Sequence, residues 1–298
     1  MSALDPTSET GESRPTGDDP GGVALDVLHE TCYEYEAPVS LAHHLAYLRP
    51  LTDAYQILNA YSLDVDPAPA QCRDGTDVFG NACCHFTLQQ AHRVLRVRAH
   101  ARLRVSPRFG LLQPEASPDW RQVRDRLRYV ARAPFDPAVE FVQPSPYVLR
   151  LEALREYALP SFPPGRPVAE GALDLMHRIH ADFQYEARST EIDTPLEEAF
   201  DQRRGVCQDF AHLMAGSLRM LGLPARYVSG YLRTHSGDGP LFVGADASHA
   251  WVQVYAPDTP GVPADGWLDL DPTNDVVPAS GHVRLAVGRD YGDVAPLR

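Results

Sequence analysis

No stretch of this 298-residue chain is apolar for long enough to cross a bilayer, and its start has neither the basic residues nor the apolar core of a secretory leader. A cytoplasmic protein without a membrane partner is the expectation. Positive charge is also short: Lys+Arg 27 against Asp+Glu 40 leaves a formal net charge of -13, which repels a polyanion and argues against nucleic acid as a partner. Five unevenly spread cysteines (Cys32, Cys72, Cys83, Cys84, Cys207) do not make the even-numbered framework of a disulfide-stapled domain, so reduced thiols are expected. Zinc-site spacing is missing as well. Cys83-Cys84-His85 are adjacent, neighbours on a strand point to opposite faces, and no second pair stands at a ligand spacing, so the expectation is no metal. His43-His44 likewise lack a spaced partner and are expected at the surface or in a loop, without chemistry. No cofactor motif is present.

What the chain does have is enough apolar material, 44% of residues, to fill one large core or two ordinary ones. Residues 1–20 are rich in Ser, Thr, Gly, Pro and acid, and predict a disordered tail. From Val23 the pattern has period two, with Val23, Leu25, Val27, His29, Thr31, Tyr33 and Tyr35 on one face. Further strands are predicted at 56–66, 82–89 and 93–105. In the last of these Val97, Ala99, Ala101, Leu103 and Val105 alternate with a row of Arg and His that reads as a solvated face. An antiparallel β-rich domain over 21–110 follows. Trp120, Val123, Leu127 and Val130 predict one helix face within 118–134, and the proline density of 159–167 predicts a linker that closes a connector spanning 111–167. Beyond it, Val168, Ala172, Leu175, Ile179 and Phe183 trace a helix over 168–182. After a loop at 189–195 come a short helical piece at 196–200, a helix from 207, and strands at 225–232, 247–255, 266–271 and 283–287. Helices first and strands afterwards is an α+β order, assigned to a domain spanning 168–298.

Within that domain Cys207 stands in the first turn of the helix that follows Arg203-Arg204-Gly205 and stops at Gly222-Leu223-Pro224. Unpaired N–H groups and the positive end of the helix dipole favour an anion there, which biases a thiol toward its nucleophilic thiolate. A base is then needed. His249 shares a strand face with Trp251, Gln253 and Tyr255, opposite Ala250, Val252 and Val254, and Asp269 and Asp271 share a face of the next strand. Antiparallel pairing of the two strands brings one of those carboxylates to His249; the spacing alone leaves Asp269 and Asp271 both open. Nucleophile, base and orienter in that order make a complete acyl-transfer set. The N–H of Cys207 is one candidate oxyanion donor, and Tyr185, Gln208 and Trp251 are candidates for the second donor or a substrate wall.

The segments Arg204-Gly205-Val206-Cys207-Gln208-Asp209-Phe210-Ala211-His212, 223–231, Ala247-Ser248-His249-Ala250-Trp251, and Gly266-Trp267 followed by Leu270-Asp271-Pro272-Thr273-Asn274 resemble the bacterial transglutaminase-like (papain-like thiol) superfamily. The similarity covers about 168–295, and 23–105 resembles the N-terminal region that accompanies this family in bacteria. The resemblance implies an N-terminal antiparallel β-sandwich followed by a papain-like core in which a catalytic helix packs on an antiparallel sheet. It also places the triad on Cys207, His249 and Asp271, choosing Asp271 over Asp269. The implied chemistry is amide cleavage through a thioester. A hydrolase of peptide or protein substrates is the first expectation, a protein-glutamine transamidase the alternative, and a non-catalytic peptide-binding scaffold the third. Loops at 234–246 and 258–265 are expected to shape the acyl-donor pocket.

Overall fold

Twelve strands and six helices make up the computed structural model, which describes residues 22–187, 194–233 and 248–298. The expected tail at 1–20, most of the loop at 189–195 and the loop at 234–246 lie outside them. Six strands come first: β1 (Val23–Val39), β2 (Ala42–Ala46), β3 (Gln56–Asp66), β4 (Gln71–Thr76), β5 (Ala82–Leu88) and β6 (His92–Val105). They form two antiparallel three-stranded sheets, ordered β1-β6-β3 and β2-β5-β4. Leu95, Val97 and Ala99 of β6 close a core against Cys84, Phe86 and Leu88 of β5, as two sheets do when each has one apolar face. The outward Arg98 pairs with Glu30 and His100 with Asp26 across the β1–β6 ladder, a solvated face as expected.

Two strands differ from the sequence reading. β2 carries His43 and His44, expected at the surface or in a loop; His43 is exposed but lies on a strand, and half-buried His44 stacks on Phe86 across the ladder with ring centroids 5.0 Å apart. β4 is exposed along its whole length and has no hydrophobic alternation by which to be found.

Helix α1 (Trp120–Arg126) is capped by Asp119, which accepts from the Arg121 N–H at 2.8 Å. It is shorter than the predicted 118–134 because burial runs out past Leu127, which packs on the cluster of Ala138, Phe141 and Trp267. Trp120 and Val123 are buried, whereas Val130 is 62% exposed and gains nothing from continuing the helix. The proline-rich stretch after α2 (Glu152–Ala158) is not a free linker. Phe162 is fully packed, the Trp120 indole donates to the Pro163 carbonyl at 3.0 Å, and the Val168 N–H reaches the Pro118 carbonyl at 2.8 Å. Prolines fix the backbone there while aromatic burial holds it in place.

α3 (Val168–Asp182) has the predicted bounds. The pair β7 (Gln184–Tyr185) and β8 (Arg204–Gly205) brackets α4 (Leu196–Gln202) and leads into α5 (Cys207–Met220). Gly222, at φ +81, turns the chain out of α5, as expected of a glycine past a helix end. Every residue of α5 from Asp209 to Arg219 is buried, so this is a central helix and not an amphipathic surface one. It lies on the four-stranded sheet β11-β10-β9-β12, made of β9 (Ala225–Leu232), β10 (Ser248–Tyr255), β11 (Trp267–Leu270) and β12 (His282–Gly288). The core joins Phe210, Met214 and Leu218 of α5 to Ala250, Val252 and Val254 of β10, Leu268 and Leu270 of β11, and Leu175 and Ile179 of α3.

β12 is an edge strand whose outer backbone groups are met by side chains of the N-terminal sheets. Gln56 exchanges two bonds of 2.8 Å with the Arg284 N–H and carbonyl, and Asn81 does the same with Val287 at 2.8 and 2.7 Å. Side-chain amides thus complete a ladder that is otherwise an open edge. On the inner side Gly230 of β9 sits where a Cβ would stand 2.2 Å from the Val283 carbonyl and 2.4 Å from the Trp251 ring. Gly230→Ala therefore lowers the unfolding free energy by about 1–3 kcal/mol, the usual cost of overpacking, measured as a reduced denaturant midpoint at unchanged slope.

Candidate active site

Cys207 is the first residue of α5, held there by two neighbours. The Asp209 carboxylate accepts the Val206 N–H at 2.8 Å, closing the first turn and placing negative charge at the positive end of the helix. Gly205 makes room for it: a Cβ there would come within 2.6 Å of the carboxylate oxygen. Asp209 lies inside the motif read from the sequence, but this role was not assigned to it; the signal was an acid three residues past a helix start.

His249 is the second residue of β10, opposite Gly230. Its Nε2 lies 2.9 Å from Asp271 Oδ2, and both side chains are fully buried. Asp271, just past β11, begins a tight turn closed by its backbone bond to Val276 at 2.9 Å. Its Oδ1 accepts the N–H groups of Thr273 (3.0 Å) and Asn274 (3.2 Å), the Asx-turn that an Asp-Pro-Thr-Asn stretch favours, and Oδ2 accepts Asn274 Nδ2 at 2.8 Å. From behind, α3 grips this turn. His180 donates through Nδ1 to the Thr273 carbonyl at 3.0 Å, and His177 contacts Asp275. Two histidines three residues apart in the last turns of α3 were the available signal for that support.

The second nitrogen of His249, Nδ1, is buried without a hydrogen bond of normal geometry. The Cys207 thiol nonetheless acts electrostatically on the imidazole, in the direction that favours its protonated form. Burial pushes the His249 pKa down, but the Asp271 carboxylate, and after it Cys207, outweigh burial and raise it to about 10. Asp271 moves the opposite way: burial alone would raise its pKa, and the charge and hydrogen bonds of His249 and then His282 hold it well below the usual carboxylate range.

The remaining candidates fall in different places. Tyr185 pairs in β7 with Gly205, two residues before Cys207, and its phenol pKa is pushed up by burial and then by the charge of Cys207. Gln208 follows Cys207 in the first turn of α5 and is partly exposed. Trp251 has no exposed surface, so it is not a substrate wall; it stacks on the His249 ring at 6.1 Å. Asp269, the carboxylate that spacing left open, is buried opposite Gln253, where it faces Arg108 and Arg226. The 258–265 loop joins β10 to β11 at the end remote from His249, ~20 Å of strand away at about 3.3 Å per residue, so it does not line the space at Cys207. His212, five residues past Cys207, is a core residue. It accepts the Tyr291 N–H at 3.1 Å and lies between Tyr147 and Tyr227, and burial lowers its pKa to about 3.

One histidine was missed. His282 Nε2 lies 3.1 Å from the same Asp271 oxygen. His249, Asp271 and His282 offer ligand atoms all within 4.8 Å of one another, the one cluster among the described residues able to share a metal ion. The 2.9 and 3.1 Å separations are also those of ordinary hydrogen bonds.

The His249–Asp271 pair sets a pH dependence. A histidine with a raised folded pKa contributes stability that is complete below its unfolded pKa near 6.5 and is lost as pH rises through about 10. The difference in unfolding midpoint between the protein and its His249→Gln variant should therefore shrink steadily from pH 6.5 to 10; a constant difference across that range would contradict the pairing.

Residues 25–104 match the family described as the bacterial transglutaminase-like N-terminal region, and residues 162–272 match the transglutaminase-like superfamily. The chain is 40% identical over 276 residues to an uncharacterised protein of Mycobacterium tuberculosis, spanning 91% of this chain and 85% of that protein. It is 30% identical over 278 residues to another from Mycobacterium leprae, spanning 92% and 91%. A 117-residue stretch, 38% of this chain, is 35% identical to 17% of a protein-glutamine gamma-glutamyltransferase of Pseudomonas aeruginosa. Among solved structures, a candidate cysteine protease from Cytophaga hutchinsonii superposes with a TM-score of 0.69 at 23% identity, covering 93% of this chain and 86% of that one. The fold is thus shared over nearly the whole length, and the chain belongs to the transglutaminase-like superfamily, with the bacterial N-terminal region in front of its core.

Proposed function

We propose that this protein is a cysteine-dependent acyltransferase that takes the acyl group of a protein or peptide glutamine onto Cys207 and passes it to an amine. The observation that carries this reading is the buried His249–Asp271 hydrogen bond of 2.9 Å beside a thiol at the start of a central helix. In the forward step the thiol proton already rests on His249, whose raised pKa keeps the ring protonated, and the sulfur attacks the carboxamide carbon as a thiolate. Collapse of the tetrahedral adduct breaks the C–N bond, His249 returns the proton to the departing ammonia, and a thioester remains on Cys207. Asp271 holds the ring and balances its positive charge. An incoming amine then loses a proton to His249, forms the new amide and releases the thiol.

Hydrolysis, the first expectation from the sequence, shares every step up to the thioester and differs only in using water. Amine transfer is preferred because a relative similar over 38% of this chain carries the name protein-glutamine gamma-glutamyltransferase. One compositional fact shapes the acceptor: all 27 residues counted as Lys+Arg are arginine. These residues therefore offer no lysine side chain as an acceptor, which favours an amine supplied by another molecule.

A glutamine-containing peptide incubated with and without a fluorescent primary amine tests this. Ammonia release with matching incorporation of the amine is expected, falling roughly 10²–10⁴-fold in His249→Ala and lost in Cys207→Ala. Ammonia release without incorporation at saturating amine would replace transfer by hydrolysis. Equal turnover in the Cys207→Ala protein would end the reading altogether.

A further inference from the structure

Asp271 Oδ2 receives three donors: His249 Nε2 at 2.9 Å, Asn274 Nδ2 at 2.8 Å and His282 Nε2 at 3.1 Å. The first belongs to the proposed triad and the second to the turn that carries Asp271. The third comes from a separate strand. His282 opens β12, with its N–H on the Ala279 carbonyl at 3.2 Å and its backbone opposite Leu232. The ring is buried, and it meets the edge of Trp251 at 5.3 Å and 82°, while Trp251 stacks on His249 at 6.1 Å and 27°. One indole thus sets the planes of both imidazoles, and both point Nε2 at a single oxygen.

We propose that His282 is a positioning residue for the acyl transfer: its Nε2–H donates to Asp271 Oδ2 and fixes the carboxylate that in turn orients His249. This rests on the acyltransferase reading above. Asn274 Nδ2 and the two backbone N–H groups on Oδ1 all belong to the turn that carries Asp271; a donor from β12 ties that turn, and the carboxylate with it, to a separate strand. His282 also takes a share of the negative charge on Oδ2, so the carboxylate does not collapse fully onto the His249 proton. The charged and titratable groups around it are Asp271, His249 of β10 and, across a small cavity, Tyr55, Arg108, Asp269 and Arg284. That cavity, about 20 Å³ and so near the size of one water, lies between the N-terminal sheets and the core sheet. Two residues after His282, the Gln56–Arg284 bonds join β12 to the N-terminal sheets.

The test compares His282→Leu, which removes the donor, with His282→Gln, which keeps an amide N–H. Histidine ¹⁵N spectra across pH follow the His249 ring, in the Cys207→Ser background so that the thiol does not contribute. In His282→Leu the His249 titration should move up by about half to one unit, since Oδ2 loses a competing donor, and in His282→Gln it should stay near the parent value. With Cys207 restored, iodoacetamide labelling of that thiol at neutral pH should slow about five- to tenfold in His282→Leu, the rate equivalent of one hydrogen bond, and mostly recover in His282→Gln. An unchanged titration in His282→Leu, or equal shifts in both variants, would overturn the proposal. If His282→Leu does not melt cooperatively, the parent protein decides: a His282 ring carrying its proton on Nε2 supports the bond, and one protonated only on Nδ1 overturns it. These readouts need no acyl substrate, so a protein that fails to turn over glutamine peptides can still show the His282 effect, and the two ideas fail separately.

Discussion

A carboxylate with no solvent exposure is the constraint around which this molecule is arranged. Asp271 is fully buried, and an ionised group in that position persists only where donors surround it. Five are supplied: two backbone N–H groups of its own turn, the Asn274 amide, His249 and His282. They come from three parts of the core sheet region, the start of β10, the turn after β11 and the start of β12. The sheet must hold all three in register for the charge to be tolerated. The same requirement makes His249 basic, because its proton is the counter-charge that the carboxylate lacks from solvent.

The other half of the site is set by a different device. α5 is buried along most of its length, yet its first residue is left partly accessible, with Gly205 and Asp209 shaping the turn just before and after it. Burial of the helix body fixes where its start projects, and a cysteine at that start is placed without needing contacts of its own. The N-terminal sheets add a third contribution by closing the outer edge of β12 through Gln56 and Asn81. They touch the strand that carries His282 and therefore bear on the site from behind.

Much of this was legible in the sequence wherever a pattern repeats. The alternation of β6, the helical face of α3 and the strands β9 to β12 follow from periodicity, and the order Cys207, His249, Asp271 from chemistry joined to a family resemblance. Spacing alone could not separate Asp269 from Asp271, since both share a strand face; the turn after Asp271 decides it by bringing that carboxylate to His249. Other features had no periodic signal. β4 is uniformly exposed, α1 stops where burial stops, and the proline-rich stretch is held by Trp120 and Phe162, residues far from it or at its middle. His282 was hidden for another reason: its role depends on a strand pairing, β12 beside β9, that joins residues about fifty positions apart.

The central claim is that Cys207 carries an acyl group during turnover. Acid-quenching the protein during reaction with a glutamine peptide, followed by intact-mass and peptide-level mass spectrometry, measures that directly. A peptide adduct on Cys207, lost on treatment with hydroxylamine as a thioester would be and absent in Cys207→Ala, is the predicted result. Turnover of the peptide with Cys207 unmodified at every quench time, and undiminished in Cys207→Ala, would contradict it.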